Sequence, residues 1–372
     1  MKGVVPTKQL KKIAARRPAQ ATAKRPKIQD VAALAGVSLG TVSAVLNENG
    51  RIGEETRRRV QEAIATLGYR PDIYASNMAR RQTRVFGVIV SNLQNPFFAE
   101  TAQAMEDEAA KYGYQISLMA TNFLPKQHRD AVKQLLGSRL AGLAVLTSEH
   151  DEVSRRLVLA SGLPAVFLDV GKPEGKVSIL RVDSKGGMSA AVQHLISLGH
   201  RDFLFVKNSQ KGHGTPLLSH RLRDQGFAAA IRACKVKGVK AHIVDVHGPG
   251  ADAGYKAIEL MYGTHKFTAV IATTDMVAMG VYHGLHSRGV QIPEDVSVVG
   301  FDNTYFSRFM LPPLTSVDVP RIELSQLVVA ALLQDEPGRL IDLETTLVIR
   351  LSTREPATVQ SKAKFSRNRP ST

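Results

Sequence analysis

The chain has 372 residues with 49 Lys and Arg against 33 Asp and Glu, a formal charge of +16. It is too long for one compact core, so two or three domains are expected. A lone cysteine, Cys234, excludes an intramolecular disulfide framework and any cysteine-based zinc site; no run of about 18 apolar residues exists to span a membrane, and the basic N-terminus lacks the apolar stretch of a secretion signal, so the cytoplasm is the expected compartment.

Charge is concentrated at the ends. Residues 1–84 hold 17 basic against 6 acidic side chains and residues 354–372 hold 5 against 1, which leaves 85–353 nearly neutral. A basic N-terminal fifth on a neutral body is the footprint of a polyanion-binding head. Residues 1–26, rich in Lys, Arg, Ala and Pro, read as a disordered basic arm able to add phosphate contacts. The tail 354–372 reads as disordered and basic too, and it has no leucine heptads for a coiled coil.

From Ile28 to Tyr69 the spacing predicts three short helices. Ile28, Val31, Ala32 and Ala35 form an apolar stripe on the first, Val42, Val45 and Leu46 on the second, and Val60, Ala63, Ile64 and Leu67 on the third. Gly36-Val37-Ser38 makes the tight turn between the first two, with Ser38 placed as an N-cap. Two helices around such a turn form the helix-turn-helix that puts its second helix in the DNA major groove. Pro71 then breaks the chain, and a short helix over Ile73 to Ala79 leads to the polar stretch before residue 85.

Beyond residue 85 apolar runs alternate with helical segments. Strands are expected at Phe86–Ser91, Ile116–Ala120, Gly142–Leu146, Ala165–Leu168, Phe203–Val206, Ile243–Val246, Ala269–Thr273 and Val296–Gly300. Continuous apolar strands with helical crossovers imply parallel sheets covered on both faces, in two similar groups. Ligands of such sheets lie at the strands' carboxyl ends. Cys234 falls in the helical run FAAAIRACK and reads as an inert core thiol.

Enzyme signatures are lacking. Gly248-Pro249-Gly250 with Ala253 fits a dinucleotide loop, and Asp275 stands about twenty residues on, but Pro249 is rigid between the glycines and the strand before it is not the first of its group. It reads as a turn at a cleft edge. No phosphate-binding loop, HExxH or G-x-S-x-G occurs, and the eleven histidines are scattered, so no catalytic residue, cofactor or metal site is expected.

The blocks DVAALAGVSLGTVSAVLN, EETRRRV, LGYRPD, VFGVIVSNLQNPFFAE, HLISLGHRDFLFV, PEDVSVVGFDN and LPPLTSVDVP resemble the lac repressor/galactose repressor family of bacterial transcription regulators over roughly residues 27–353. The resemblance implies an all-α helix-turn-helix DNA-binding head at 27–70, a hinge helix and linker at 71–84, and an α/β periplasmic-binding-protein-like body of two Rossmann-like lobes at 85–353. It divides the body into a first lobe of about 85–182 and 312–338 and a second of about 183–311 and 339–353. It further implies a homodimer that represses from a pseudo-palindromic operator on double-stranded DNA, modulated by a sugar or sugar-acid effector between the lobes.

The same resemblance implies DNA contacts at Ser38, Leu39, Gly40, Thr41, Ser43, Ala44, Asn47, Arg51, Thr56, Tyr69 and Ala75, with Met78 as a minor-groove wedge. Relatives usually carry Arg where Ala44 stands; Ala44 offers only apolar contact to a thymine methyl. Lys27 and Gly53 replace the usual Thr and Ser caps of the first and third helices. For the effector it implies Asn95, Phe97, Phe98, Asp169, Arg223, Thr274 and Asp302, with Asp183 and Asp275 as weaker candidates. Many relatives carry Asn at the position of Thr274. A periplasmic solute-binding protein would share the body but lack the head, an NAD-linked enzyme would need the Gly248 loop as a phosphate cradle, and a purely architectural DNA binder would leave the cleft unused.

Overall fold

The computed structural model describes residues 26–46, 51–69, 83–147, 149, 151–209 and 217–357. They fall into two compact units, a head within residues 1–82 and a body from Thr83 onward.

The head consists of α1 (Ile28–Ala35), α2 (Leu39–Leu46) and α3 (Glu54–Leu67). The three predicted stripes meet in one small core of Val31, Ala32, Ala35, Val42, Val45, Val60 and Ala63, with Ile28, Leu46, Ile64 and Leu67 packed at its margin. Gly36 ends α1 at φ 62°, a left-handed turn that suits glycine because it has no Cβ. Ser38 Oγ accepts from Thr41 N at 3.1 Å and so caps α2. Neither Lys27 nor Gly53 offers a side-chain cap. At α1 the loss is offset from the other side, where Asp30 accepts the Lys27 backbone N–H at 2.7 Å; at α3, Glu54 and Glu55 sit in the first turn, favourable to the helix dipole.

The body is built on two six-stranded sheets. The first comprises β1 (Val85–Val90), β2 (Gln115–Ala120), β3 (Gly142–Leu146), β4 (Ala165–Leu168), β5 (Val177–Val182) and β11 (Leu340–Leu343). The second comprises β6 (Asp202–Asn208), β7 (Lys240–Val246), β8 (Ala269–Ala272), β9 (Ser297–Asp302), β10 (Thr315–Asp318) and β12 (Thr346–Val348). Their orders are β11-β5-β4-β3-β1-β2 and β12-β10-β9-β8-β6-β7. Both are the doubly wound 2-1-3-4-5 order with a sixth strand added at one edge. Every pairing is parallel except β10 with β12.

Helices α4 (Pro96–Lys111), α5 (Pro125–Leu136), α6 (Glu152–Ser161) and α11 (Arg321–Leu333) belong to the first lobe, where α11 packs on α4, β3 and β4. Helices α7 (Ser184–Ser197), α8 (Leu218–Ala233), α9 (Gly250–Met261) and α10 (Asp275–His286) cover the second, with a 3-10 turn at Tyr305–Phe309. The central strands are buried along their length apart from Val85 at the start of β1, as a sheet covered on both faces requires. Helices α9 and α10 approach to backbone contact: a Cβ on Gly280 would lie 1.8 Å from the Ala251 carbonyl oxygen, so only glycine fits.

The two lobe assignments expected beyond residue 311 need correcting. The segment 312–338 does not lie wholly in the first lobe, because β10 pairs with β9 in the second sheet. Nor does 339–353 lie wholly in the second, because β11 pairs with β5 in the first. The chain therefore crosses between lobes at Asp183–Ser184, at Val319–Pro320 and at Glu344–Thr345; the pairing of β10 with β9, and of β11 with β5 across some 160 residues, decides this, and no local pattern reports it. The first and third crossings are tied together, Asp183 N donating to Leu343 O at 2.9 Å and Thr345 Oγ1 to Asp183 O at 2.9 Å.

Order also extends past residue 353. Arg354 N donates to Ser297 Oγ at 3.1 Å, and the Arg354 carbonyl accepts from buried His200 at 2.9 Å. The start of the expected disordered tail is thus part of the second lobe. Cys234, expected in the core, is the half-buried C-cap of α8. No single helix among the described residues is long and apolar enough to cross a membrane.

Candidate functional sites: the reading helix and the cleft

On the head, α2 turns Val42 and Val45 inward, which leaves Leu39 and Gly40 exposed at its N-terminal end with Ser38 before it, and Thr41, Ser43 and Ala44 half-buried beside them. Arg51 is exposed, whereas Thr56 and Tyr69 are half-buried. Thr41 Oγ1 lies 3.0 Å from Ser38 Oγ, so these two hydroxyls are coupled through the cap. Asn47, Ala75 and Met78 lie outside the described residues.

In the body, a cleft of about 980 Å³, its solvent-open part included, lies between the carboxyl ends of the two sheets. The first lobe contributes Ser91, Asn95, Phe97 and Phe98 after β1, Phe123 after β2, and Asp169 after β4. The second contributes Asn208 at the end of β6, His220 and Arg223 on α8, Thr274 and Met276 around the start of α10, and Asp302 at the end of β9. All seven residues singled out in the sequence for effector contact line this one cleft. The two weaker candidates do not: Asp183 caps α7 through Gly186 N at 2.9 Å, and Asp275 is buried behind the wall, accepting from Ser316 Oγ at 2.6 Å and Thr304 N at 2.7 Å.

Arg223 organises the second-lobe wall. Its Nη1 donates to the Thr273 carbonyl at 2.6 Å and its Nη2 to Asp302 Oδ1 at 2.9 Å, while the guanidinium lies 3.8 Å over the Phe301 ring. Both partners are almost fully buried. Burial pushes the Asp302 carboxyl up from its usual value, and the Arg223 charge pulls it back. Asn95 caps α4, accepting from Phe97 N at 3.1 Å. Thr274 Oγ1 caps α10 through Val277 N at 3.2 Å, and Asp169 Oδ1 accepts from Val182 N at 2.9 Å. Phe97 and Phe98 meet edge to face, centroids 5.3 Å apart.

Several wall residues escaped the sequence reading: Ser91, Phe123, Ser184, Asn208 and His220. A usable signal existed for two of them, since Ser91 and Asn208 stand at or just past the carboxyl ends of predicted strands. The Gly248 loop is the expected turn at the cleft edge, with Pro249 and Gly250 lining it at the start of α9.

The family model for "Bacterial regulatory proteins, lacI family" matches residues 27–72, and that for "Periplasmic binding protein-like domain" matches 192–355. The chain is 30% identical over 339 residues to the HTH-type transcriptional repressor PurR of Glaesserella parasuis, covering 88% of this chain and 98% of that one. The chain belongs to the lacI family of bacterial regulatory proteins. Within that family it is also 32% identical over 298 residues to catabolite control protein A of Priestia megaterium, covering 80% of this chain and 88% of the relative. Among solved structures, the lac repressor dimer bound to operator and an anti-inducer superposes with a TM-score of 0.73 at 27% identity, covering 89% and 100% of the two chains. A CelR–cellobiose complex superposes at 0.62 and 29% identity, covering 88% and 100%. As a lacI-family member the chain is a DNA-binding transcription regulator with an effector-binding body, and its relatives are repressors rather than enzymes.

Proposed function

We propose that this lacI-family regulator is a homodimeric repressor that reads a pseudo-palindromic operator through the exposed end of α2, and that a small sugar-like or sugar-acid effector in the body cleft sets its operator affinity. Work on the chromosome places it in the cytoplasm. The observation that carries the effector half is convergence: Asn95, Phe97, Phe98 and Asp169 of one lobe and Arg223, Thr274 and Asp302 of the other surround one space. Aromatic rings on one side and buried polar groups on the other suit a ligand with an apolar face and a hydroxylated edge.

A ligand touching both lobes binds one lobe arrangement better than another, and only that difference can shift the equilibrium. Among the described residues the chain passes between the lobes only at the three crossings at Asp183, Val319 and Glu344, which so form the axis of the change. Coupling of this kind amounts to about 1–3 kcal/mol. On the DNA side, Ser38, Leu39, Gly40, Thr41, Ser43 and Ala44 supply base and backbone contacts, with Arg51, Thr56 and Tyr69 contributing to phosphate positioning. Asn47, Ala75 and Met78 complete the proposed set from outside the described residues.

The deciding experiment is selection of genomic fragments by the purified full-length protein at moderate salt. One pseudo-palindromic site in front of a few genes is the expected result. Tight binding with no shared site would leave only backbone contacts and end the specific-repressor reading.

A further inference from the structure

The second-lobe wall of the cleft contains polar groups whose chemistry restricts what can meet them. His220 Nδ1 lies 3.1 Å from the Asn208 carbonyl oxygen. A carbonyl only accepts, so Nδ1 carries the ring proton, and Nε2 of the neutral ring is left as a lone-pair acceptor. Burial, with the Arg223 charge second, lowers the His220 pKa to about 4, so the ring is neutral at physiological pH. The other charges acting on it are Asp245, which raises its pKa, and Lys207, which lowers it; Lys207 is itself paired with Asp224 at 2.7 Å.

Asn208 ends β6 and is buried, yet its Oδ1 has no hydrogen-bond partner. Leaving a buried acceptor unpaired is costly, which marks the position as one that a ligand donor would complete. Arg223, the only arginine lining the cleft among the described residues, has both terminal nitrogens engaged by Thr273 and Asp302. Two of its five N–H groups are thus taken, and its charge is already offset by the buried Asp302 carboxylate. Its Nε, and the hydroxyls of Ser91 and Ser184, are buried and unpaired as well.

We infer that His220 Nε2 and Asn208 Oδ1, beside the Asp302 carboxylate, form an acceptor wall that selects an effector presenting uncharged hydroxyl groups to lobe two, and rejects a carboxylate or phosphate there. This inference rests on the reading of the cleft as the effector site and narrows it. A hydroxyl donates to His220 or Asn208 and still accepts from Arg223 Nε or a serine, so it satisfies both kinds of orphan group. An anionic oxygen could accept from those donors but has no proton to give, so it would leave the His220 and Asn208 acceptors unpaired and set its charge beside the Asp302 carboxylate.

The test measures melting of the full-length protein against a panel of neutral mono- and disaccharides, the corresponding aldonates and uronates, and their phosphate esters. The expected strongest stabiliser is neutral. Its affinity should fall about tenfold or more in His220→Phe and in Asn208→Leu. In His220→Gln, whose amide oxygen restores an acceptor, it should stay within a few-fold of the parent. Should one variant fail to fold, judged by its ligand-free melting and operator binding, the other decides. An aldonate, uronate or phosphate ester as the strongest stabiliser would overturn the acceptor wall while leaving the cleft as the effector site. Unchanged affinity in the folded variants would do the same. A panel with no stabiliser at all would overturn the sugar-effector reading, and this inference with it.

Discussion

Glu100 of the first lobe accepts the Tyr305 backbone N–H of the second at 2.9 Å, and its other carboxylate oxygen holds Arg321 Nε at 3.0 Å. Arg321 also donates to the carbonyls of Asp302 and Asn303, the latter at 2.8 Å. The carboxylate and guanidinium thus fasten the first-lobe helices α4 and α11 to the loop following β9, next to the cleft residue Asp302. Glu100→Ala should release this fastening, favour separated lobes and raise the radius of gyration seen by small-angle scattering. The expected cost in stability is about 1–3 kcal/mol, as for charge-assisted hydrogen bonds. An unchanged radius with and without ligand would show that the contact does not hold the lobes.

Arg223 and Asp302 should behave as a unit. Replacing one partner strands a buried charge, so Arg223→Met alone should cost about 3–5 kcal/mol in urea unfolding, whereas Arg223→Met with Asp302→Leu should cost clearly less than the sum of the single changes. Additive losses would mean that the pair is not coupled in solution.

Asp275 gives the second lobe a pH-dependent contribution. Burial, followed by the Asp302 charge, raises its pKa from 3.8 to about 7. A raised native pKa means that the folded state holds the proton more tightly than the unfolded one. The contribution is therefore present in full below about pH 4 and is lost as pH rises through about 7. Asp275→Asn should remove that slope, so parent minus variant stability should fall by on the order of a few kcal/mol between pH 4 and pH 7. His220, whose pKa is lowered, acts in the opposite sense, favouring the fold above about pH 6.5 and losing that contribution toward pH 4; it cancels in the comparison because both proteins carry it. A pH-independent difference would refute the assignment.

Ala44 predicts how operator choice can be changed. It lies half-buried on α2, near the exposed Leu39 and Gly40. Ala44→Arg should add a fork able to reach guanine, creating about 1–3 kcal/mol of discrimination at one symmetric base pair in each half-site. Binding-site selection with the variant reads this directly; an unchanged consensus would remove α2 from the role of reader.

Lobe two bears an apolar strip at the 3-10 turn and the turn that follows β12. Phe309 is 61% exposed, Leu311 89% and Leu351 67%, and Leu351 N donates to Pro313 O, which joins the two segments. Solvent exposure of so many adjacent large apolar side chains fits a surface covered by a second copy. Phe309→Asp with Leu311→Asp should shift the dimer toward monomer in sedimentation equilibrium and weaken operator binding with it. A dimer of undiminished stability would place the interface elsewhere.

Local pattern by itself carried much of this protein. The head core could be read residue by residue, because i, i+3, i+4 spacing on three short helices specifies which side chains face inward. Eight strands, β1–β4 and β6–β9, could be read as apolar runs bounded by turns, whereas β5 (Val177–Val182) was not, and the blocks of the head and those around Asn95 and Asp302 carried the family resemblance. The structure alone decided the long-range pairings. Residues 315–318 and 340–343 are short and partly polar, so only their partners β9 and β5 show which lobe each one completes. The wall of the cleft followed the same division. Ends of strands predict where a ligand lies, but a hydrogen bond between His220 and the Asn208 carbonyl, and the capture of Arg223 by Thr273 and Asp302, join residues 12 to 79 positions apart through three-dimensional contact. Sequence spacing encodes which face of an element is buried; which polar groups are left unsatisfied there is fixed only when the elements pack.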